Sequence, residues 1–283
     1  MQILRTVEEL RQWSRARRCE GTDSGIALVP TMGALHAGHA SLIRAAAEAR
    51  PGRVAVSIFV NPTQFGPNED FARYPRTFAA DCALAEREGA TVIFAPSVEE
   101  MYPAGAATFV DVEALSDRLD GASRPGHFRG VATVVAKLLI TAEADLAFFG
   151  QKDAAQVAVL RRMVADLRSG TKIVVCPIVR EGDGLALSSR NVYLSAAERK
   201  QALALSRAVW WVEKSVAGGE RQSAVLIEAA RNVFAEVPEV RVDYIEIVDW
   251  DTLWPVRSAA KGTLFAVAAW VGKTRLIDNT IIN

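Results

Sequence analysis

Cysteine is scarce in this chain: Cys19, Cys82 and Cys176 are the only three, an odd number, far apart and without a CxxC pair. A disulfide framework or a zinc knuckle is therefore excluded as the organising device, and reduced, mostly buried thiols in a cytoplasmic protein are expected. Net charge is missing too, because 33 Lys and Arg balance 33 Asp and Glu. A broad nucleic-acid or membrane-binding face needs an excess of one sign, so only a local basic pocket stays open. Long apolar runs are absent: Val131–Ile140 and Leu264–Val271 are too short to span a bilayer, and Lys137 interrupts the first. Met1–Trp13 lacks the uncharged stretch of a signal peptide and mixes Arg5, Glu8, Glu9 and Arg11 with apolar residues in a helical rhythm.

What is plentiful is apolar residue, 50% of 283, which is ample for a core and predicts one large domain with a smaller one. Short β-rich runs alternate with amphipathic stretches. Strands are expected at Ile26–Val29, Arg53–Val60, Thr91–Ala95, Leu146–Phe149 and Lys172–Val179, and helices near Ala40–Ala49, Phe78–Glu88, Val131–Thr141 and Ala154–Leu167. Apolar strands separated by helices predict an α/β fold, a doubly wound, Rossmann-like parallel sheet covered on both faces. Such sheets bind ligands beyond the carboxyl ends of their strands, so the loops after Val29, Val60, Phe149 and Val179 should converge on one crevice. Past Leu194 the pattern changes to helices at Ala196–Val216 and Ser223–Glu236, then strands at Val242–Val248, Thr263–Trp270 and Arg275–Asp278. This reads as a smaller C-terminal α+β domain, giving a division into 1–182 and 183–283.

Four segments carry chemistry. Pro30-Thr31-Met32-Gly33-Ala34-Leu35-His36-Ala37-Gly38-His39 follows a strand and opens a helix. Its two histidines share one side of a turn, and helix N-termini attract anions, so both imidazoles suit phosphate oxygens. Taken alone, the pair reads equally well as surface histidines or metal ligands. Phe149-Gly150-Gln151-Lys152-Asp153 repeats the strand-to-helix context with a lysine for phosphates, or else is an ordinary turn with a capping Asp. Arg180–Asn191 contains Gly182 and Gly184, a mobile segment, and ends in Leu187-Ser188-Ser189-Arg190, which suits a polyphosphate or a solvated linker. Asn61, Gln64 and Gln156 are neutral amides able to bond substrate hydroxyls and carboxylates.

In order, PTMGALHxGH, FVNPTQF, YPRT at Tyr74–Thr77, FGQKDxxQ, DGLALSSRN and VDYIEIVD at Val242–Asp249 closely resemble the pantothenate synthetase family across nearly the whole chain. The H-x-G-H and L-S-S-R segments are also similar to the HIGH and KMSKS elements of class I aminoacyl-tRNA synthetases. The resemblance implies a HIGH-type nucleotidyltransferase fold and a homodimer that joins pantoate to β-alanine with ATP and Mg²⁺, through a pantoyl adenylate. It implies that Met32, Gly33, Ala34, Leu35, His36, Ala37, Gly38 and His39 line the ATP site, with Gly150, Gln151, Lys152, Asp153, Val179, Leu187, Ser188, Ser189 and Arg190 completing it. His36, His39, Lys152 and Arg190 are the implied catalytic set, His39 as a proton donor whose near-neutral pKa permits that role. Gln64 and Gln156 would hold pantoate, Gln64 would also lie near β-alanine, and Asn61 would share the pocket. Asp81 is either a Mg²⁺ ligand or a helix-surface carboxylate. His127 and Arg124 are packing or substrate-region residues, His127 a buried, satisfied one. The family's usual methionine is Leu187 here, a mild change if the backbone makes the contact. Rival readings are another HxGH nucleotidyltransferase and a nucleotide- or metal-binding regulatory protein.

Overall fold

The computed structural model describes residues 1–19, 25–67 and 69–282. Among them, strands β1 (Gln2–Leu4), β2 (Ala27–Thr31), β3 (Val54–Ile58), β4 (Val92–Phe94), β5 (Leu146–Gly150) and β6 (Lys172–Cys176) form one sheet in the order β1-β4-β3-β2-β5-β6. Every pairing in it is parallel. Helices α1 (Val7–Arg18), α2 (Ala37–Ala49), α3 (Phe78–Arg87), the single turns α4 (Val98–Met101) and α5 (Asp120–Ser123), α6 (His127–Ala142) and α7 (Ala154–Asp166) connect the strands.

The uninterrupted apolar character of β2 has a direct cause. Ile26 and Leu28 face a core built with Leu10 of α1, Val135 and Leu139 of α6 and Leu160 of α7. Ala27 and Val29 face the opposite core, with Ile43 and Ala46 of α2 and Ala85 of α3. Alternate side chains of one strand thus enter different cores, and neither face can be polar. From β2 the chain winds through β3 and β4 to one side, then returns through β5 and β6 on the other. The reversal opens a crevice beyond the carboxyl ends of β2 and β5, as the sequence leads one to expect.

The C-terminal domain comprises α8 (Ala196–Ala217), α9 (Ser223–Ala235) and an antiparallel sheet of β7 (Val240–Asp249), β8 (Thr263–Val271) and β9 (Thr274–Ile281). Ser195 and Glu198 close a capping box at the start of α8. Strand β8 serves two cores: Phe265 and Val267 pack with Leu205 and Leu226, while Leu264 and Ala266 join the core beneath the parallel sheet. A polar hub adds to that union. The Arg275 guanidinium donates to Asp120 at 2.6 Å and to Asp243 at 2.8 and 3.0 Å, and Tyr244 donates to Asp120 at 3.3 Å.

Three expectations need correction. Residues 2–4 form a strand paired with β4, and the helix begins only at Val7, where Thr6 and Glu9 make a capping box. The strand expected to reach Val179 stops at Cys176, because Pro177 has no N–H for a ladder. The Gly182–Gly184 segment is tied down. Glu181 N–H donates to Leu185 O, Arg180 bonds Gly184 O and Asp278, and Arg199 pairs with Glu181 and Asp183.

Helix α6 approaches the 61–65 turn through Gly130, where an added Cβ would lie 2.3 Å from Thr63 O and 2.7 Å from Gln64 Cα. Gly130→Ala is therefore expected to destabilise the protein by about 1–3 kcal/mol, the cost of overpacking a closed contact. Urea unfolding is the check, and an unchanged midpoint would contradict this close approach.

Candidate active site

The entrance to α2 is built from strained backbone. Gly33 and Ala34 both have positive φ, at 83° and 50°. Left-handed geometry costs a non-glycine residue roughly 1–2 kcal/mol. A buried carboxylate offsets it: Asp81, 2% exposed, accepts the N–H of Ala34 at 3.0 Å and of Leu35 at 2.8 Å. Thr77 Oγ1 donates to the same carboxylate at 3.0 Å. Asp81 is thus not a helix-surface carboxylate, and that expectation is corrected. Its α3 position gave no hint that its side chain points inward.

The two histidines cap α2 in place of the usual Ser and Glu. His36 Nδ1 accepts the Gly38 N–H at 3.1 Å, and His39 Nδ1 accepts the His36 N–H at 3.3 Å, with ring centroids 4.2 Å apart. Because Nδ1 is the acceptor in each, the neutral ring carries its proton on Nε2. Burial, then the charge of Lys152, pulls His36 down from 6.5 to about 4. Burial, then His36 and Lys152, pulls His39 to about 3. Both rings are neutral hydrogen-bond donors at physiological pH, which corrects the near-neutral titration expected of His39.

These rings open onto a cleft of about 230 Å³ at the carboxyl ends of the strands. Of the residues singled out in the sequence, Met32, His36, Gly38, His39, Asn61, Gln64, Gly150, Lys152, Asp153, Gln156, Val179, Leu187, Ser188, Ser189 and Arg190 line it. All four strand-end loops named above therefore meet there. Gly33, Ala34, Leu35, Ala37 and Gln151 do not line it. Ala34 and Leu35 have given their amides to Asp81, and the Gln151 side chain turns away to Asn279 Oδ1 at 3.3 Å. Leu187 is held through its backbone, its N–H donating to Val179 O at 2.9 Å. A Cβ at Gly38 would lie 2.8 Å from His36 Cε1 and 3.0 Å from His36 Nδ1, so glycine there lets the His36 ring fold back onto the helix start.

The cations of the cleft are already partnered by acids. Arg190 forks onto Asp70 at 3.0 and 3.1 Å, and Arg124 forks onto Glu69 at 2.6 and 2.7 Å. Burial alone would raise the Asp70 carboxyl, but the bonds and charge of Arg190 hold it below its ordinary value. Lys152 Nζ stands 3.7 Å from Asp153. Glu69 and Asp70 were not recognised in the sequence. Two adjacent acids in a polar loop carry no signal until the fold brings them against the arginines.

The amides occupy a different wall. Asn61 Nδ2 donates to Gln64 Oε1 and to Gly130 O, while its Oδ1 accepts from Thr63 and Tyr102. Asn61 therefore orients Gln64, whose Nε2 meets only the weak acceptor Met32 Sδ at 3.1 Å. Val131, Val134, Val135 and Leu138 of α6, the helix packed against the Asn61–Gln64 turn through Gly130, also line the cleft. His127 is buried and satisfied, as expected: Nδ1 bonds Gln64 O at 2.8 Å and Nε2 meets Arg124 at 2.9 Å. Imidazoles, cations, neutral amides and apolar side chains thus share one cleft.

A family model described as pantoate-beta-alanine ligase matches residues 2–281. The pantothenate synthetase of Acidobacterium capsulatum is 61% identical over 284 aligned residues, spanning 99% of this chain and 94% of that protein. Among solved structures, the pantothenate synthetase of Thermus thermophilus superposes with a TM-score of 0.92 at 46% identity, covering 100% of this chain and 99% of that one. The pantoate-beta-alanine ligase of Francisella tularensis, complexed with beta-gamma ATP and β-alanine, superposes with a TM-score of 0.79 at 32% identity, over 99% and 97% of the two chains.

Burial, followed by the charge of Arg124, also brings His127 down to about 4. None of the three histidines is then expected to titrate between about pH 5.5 and 8 in an NMR pH series, and a midpoint near the unperturbed 6.5 for His36 or His39 would contradict the neutral cap. Rings neutral in the fold but protonated when unfolded contribute stability above pH 6.5, and it is lost as pH falls through 6.5 towards 4.

Proposed function

The chain belongs to the pantoate-β-alanine ligase family, and from that premise we propose how its cleft condenses (R)-pantoate with β-alanine through a pantoyl adenylate. The protein is an ATP-binding enzyme, an AMP-forming carbon–nitrogen ligase whose products are pantothenate, AMP and diphosphate. The observation that carries the site assignment is the pair of Nε2–H donors at the α2 N-terminus beside Lys152, in the crevice where the sheet reverses.

Triphosphate lies against that N-terminus. His36 and His39 donate to its oxygens, Lys152 supplies a full charge, and Ser188 and Ser189 add hydroxyls. Arg190 exchanges its Asp70 partner for phosphate as the anion enters. Gln64 and Gln156 hold the hydroxyl and carboxylate of pantoate, Asn61 orients Gln64, and the dimethyl carbon of pantoate rests on the α6 valines. A pantoate carboxylate oxygen then bonds to the α-phosphorus, and the α–β bridging oxygen leaves with diphosphate, so no protein nucleophile is needed. The amine of β-alanine next attacks the acyl carbon, forms the C–N bond and releases AMP. Neutral imidazoles suit this chemistry, since diphosphate requires stabilised charge rather than a delivered proton.

Mg²⁺ would arrive with the nucleotide. Its usual preference is for phosphate oxygens, water and one or two carboxylates, and Asp153, lining the cleft, is the protein carboxylate that fits. When bound, it screens the phosphate charge. A division into an ATP- and pantoate-binding part at 1–182 and a C-terminal lid part at 183–283 belongs to the same reading. A homodimer, resting on the family resemblance, and a cytoplasmic location, resting on three separated cysteines without a pairing pattern, belong to it as well.

Pantoate-dependent exchange of labelled pyrophosphate into ATP is the expected activity. Exchange with CTP or a nucleotide acceptor, and none with pantoate, would favour another HxGH nucleotidyltransferase. Tight zinc binding without exchange would favour a regulatory protein. His39→Ala should lower turnover roughly 100- to 1,000-fold with the circular dichroism spectrum unchanged, the scale seen when one transition-state donor is removed. Near-normal turnover would end its assigned role.

A further inference from the structure

Two buried polar side chains on β9 lie outside the cleft, yet each holds one of the loops that form its phosphate-facing wall. Asp278 is 2% exposed and Asn279 3%. Burying such groups is costly unless they are fully bonded, and both find their partners in the phosphate loops. Asn279 Nδ2 donates to two successive carbonyls, Gln151 O at 3.0 Å and Lys152 O at 2.9 Å, and its Oδ1 accepts from Gln151 Nε2 at 3.3 Å. Asp278 accepts both Nη groups of Arg180, at 2.7 and 2.9 Å. Arg180 Nη1 also donates to Gly184 O at 3.1 Å, and the bridge between Arg180 and Ala186 carries that restraint to Leu187 and Ser188. The two side chains are themselves joined, because the Asn279 N–H donates to Asp278 Oδ1 at 2.8 Å.

We propose that Asp278 and Asn279 are positioning residues for the acid-activating step: Asn279 fixes the turn that aims Lys152, and Asp278, through Arg180, fixes the loop ending in Ser188-Ser189-Arg190. The inference rests on the phosphate-site reading given above. Its physical basis is the shape of the lysine. A flexible four-carbon stem sets its ammonium only as well as its backbone is held, and Asn279 grips the carbonyls on both sides of the Lys152 N–Cα–C unit. Asparagine is suited to this task, having two N–H donors and one acceptor on a short stem; aspartate in its place would offer no donor to either carbonyl. The C-terminal strand thereby sets the spacing between the two phosphate loops. Misplacement of a catalytic group by 1 Å costs up to about 100-fold in rate.

The test measures pantoate-dependent pyrophosphate–ATP exchange for the whole chain as wild type, Asn279→Ala, Lys152→Ala and the double variant. Asn279→Ala is expected to lower kcat roughly 10- to 100-fold while the KM for pantoate stays constant, because the lost interaction acts on the transition state. In the Lys152→Ala background the same change should cost nothing more, since a residue that works through Lys152 has nothing left to position. Asp278→Ala and Arg180→Ala should likewise be no worse together than the worse one alone. Amide hydrogen exchange should quicken in residues 150–156 of Asn279→Ala, a readout that needs no activity. Multiplying losses, or an Asn279→Ala enzyme within twofold of wild type, would overturn the proposal. If Asn279→Ala does not fold, Asn279→Asp keeps the volume and carries the same test; if neither folds, Asn279 is a folding residue and its positioning role falls. A wild type without pantoate-dependent exchange would count against the acid-activating reading, whereas an active wild type with an indifferent Asn279 would count against this inference alone.

Discussion

Removal of water from two imidazoles at a helix N-terminus is the constraint on which the rest of the site turns. Both rings must accept backbone N–H bonds through Nδ1, which fixes their tautomer and directs Nε2–H outward. Such an arrangement requires a sharply turned approach to α2, and that turn holds Gly33 and Ala34 in left-handed geometry. The strain persists because Asp81 collects the two amides the turn leaves over. A carboxylate on α3, outside the cleft lining, is in this sense the foundation of the turn that presents the two histidines.

Charge in the cleft is balanced before any anion enters. Glu69 and Asp70, neighbours on one loop, occupy Arg124 and Arg190, and the lysine has Asp153 nearby. Under the function proposed above, a polyphosphate would compete with carboxylates for its cations. The histidines, being uncharged, have no such competitor, and under the same proposal they would be the donors ready at first encounter.

Much of the fold was legible in the chain. Apolar runs such as Ile26–Val29 announce a strand buried on both faces, and Pro and Gly clusters mark where strands release their loops into the crevice. The cleft-lining histidines and Lys152 were legible as well, because each sits where a strand leads into a helix start, while the Ser188–Arg190 run and the amides were legible from residue type and from the family motifs. What could not be read was contact across the chain. A three-residue strand at Gln2–Leu4 is too short to show a period, and it exists because β4 offers a free edge. Asp81 looks like any helix carboxylate until the fold turns it inward. Gln151 resembles a ligand from its motif, yet Asn279, more than a hundred residues downstream, claims its side chain. Titration was likewise invisible, since burial, then the neighbouring His36 and Lys152, rather than residue type, lower the His39 pKa.

Strand β8 has a consequence for how this architecture can change over time. Leu264 and Ala266 fill one core while Phe265 and Val267 fill the other, so no position in that stretch faces water. A gene cut between the two parts would leave apolar surface on both fragments, and neither would inherit a closed interior. Recombination that exchanges the C-terminal part between relatives must match two sets of packing partners at once, which favours descent of the chain as a single piece.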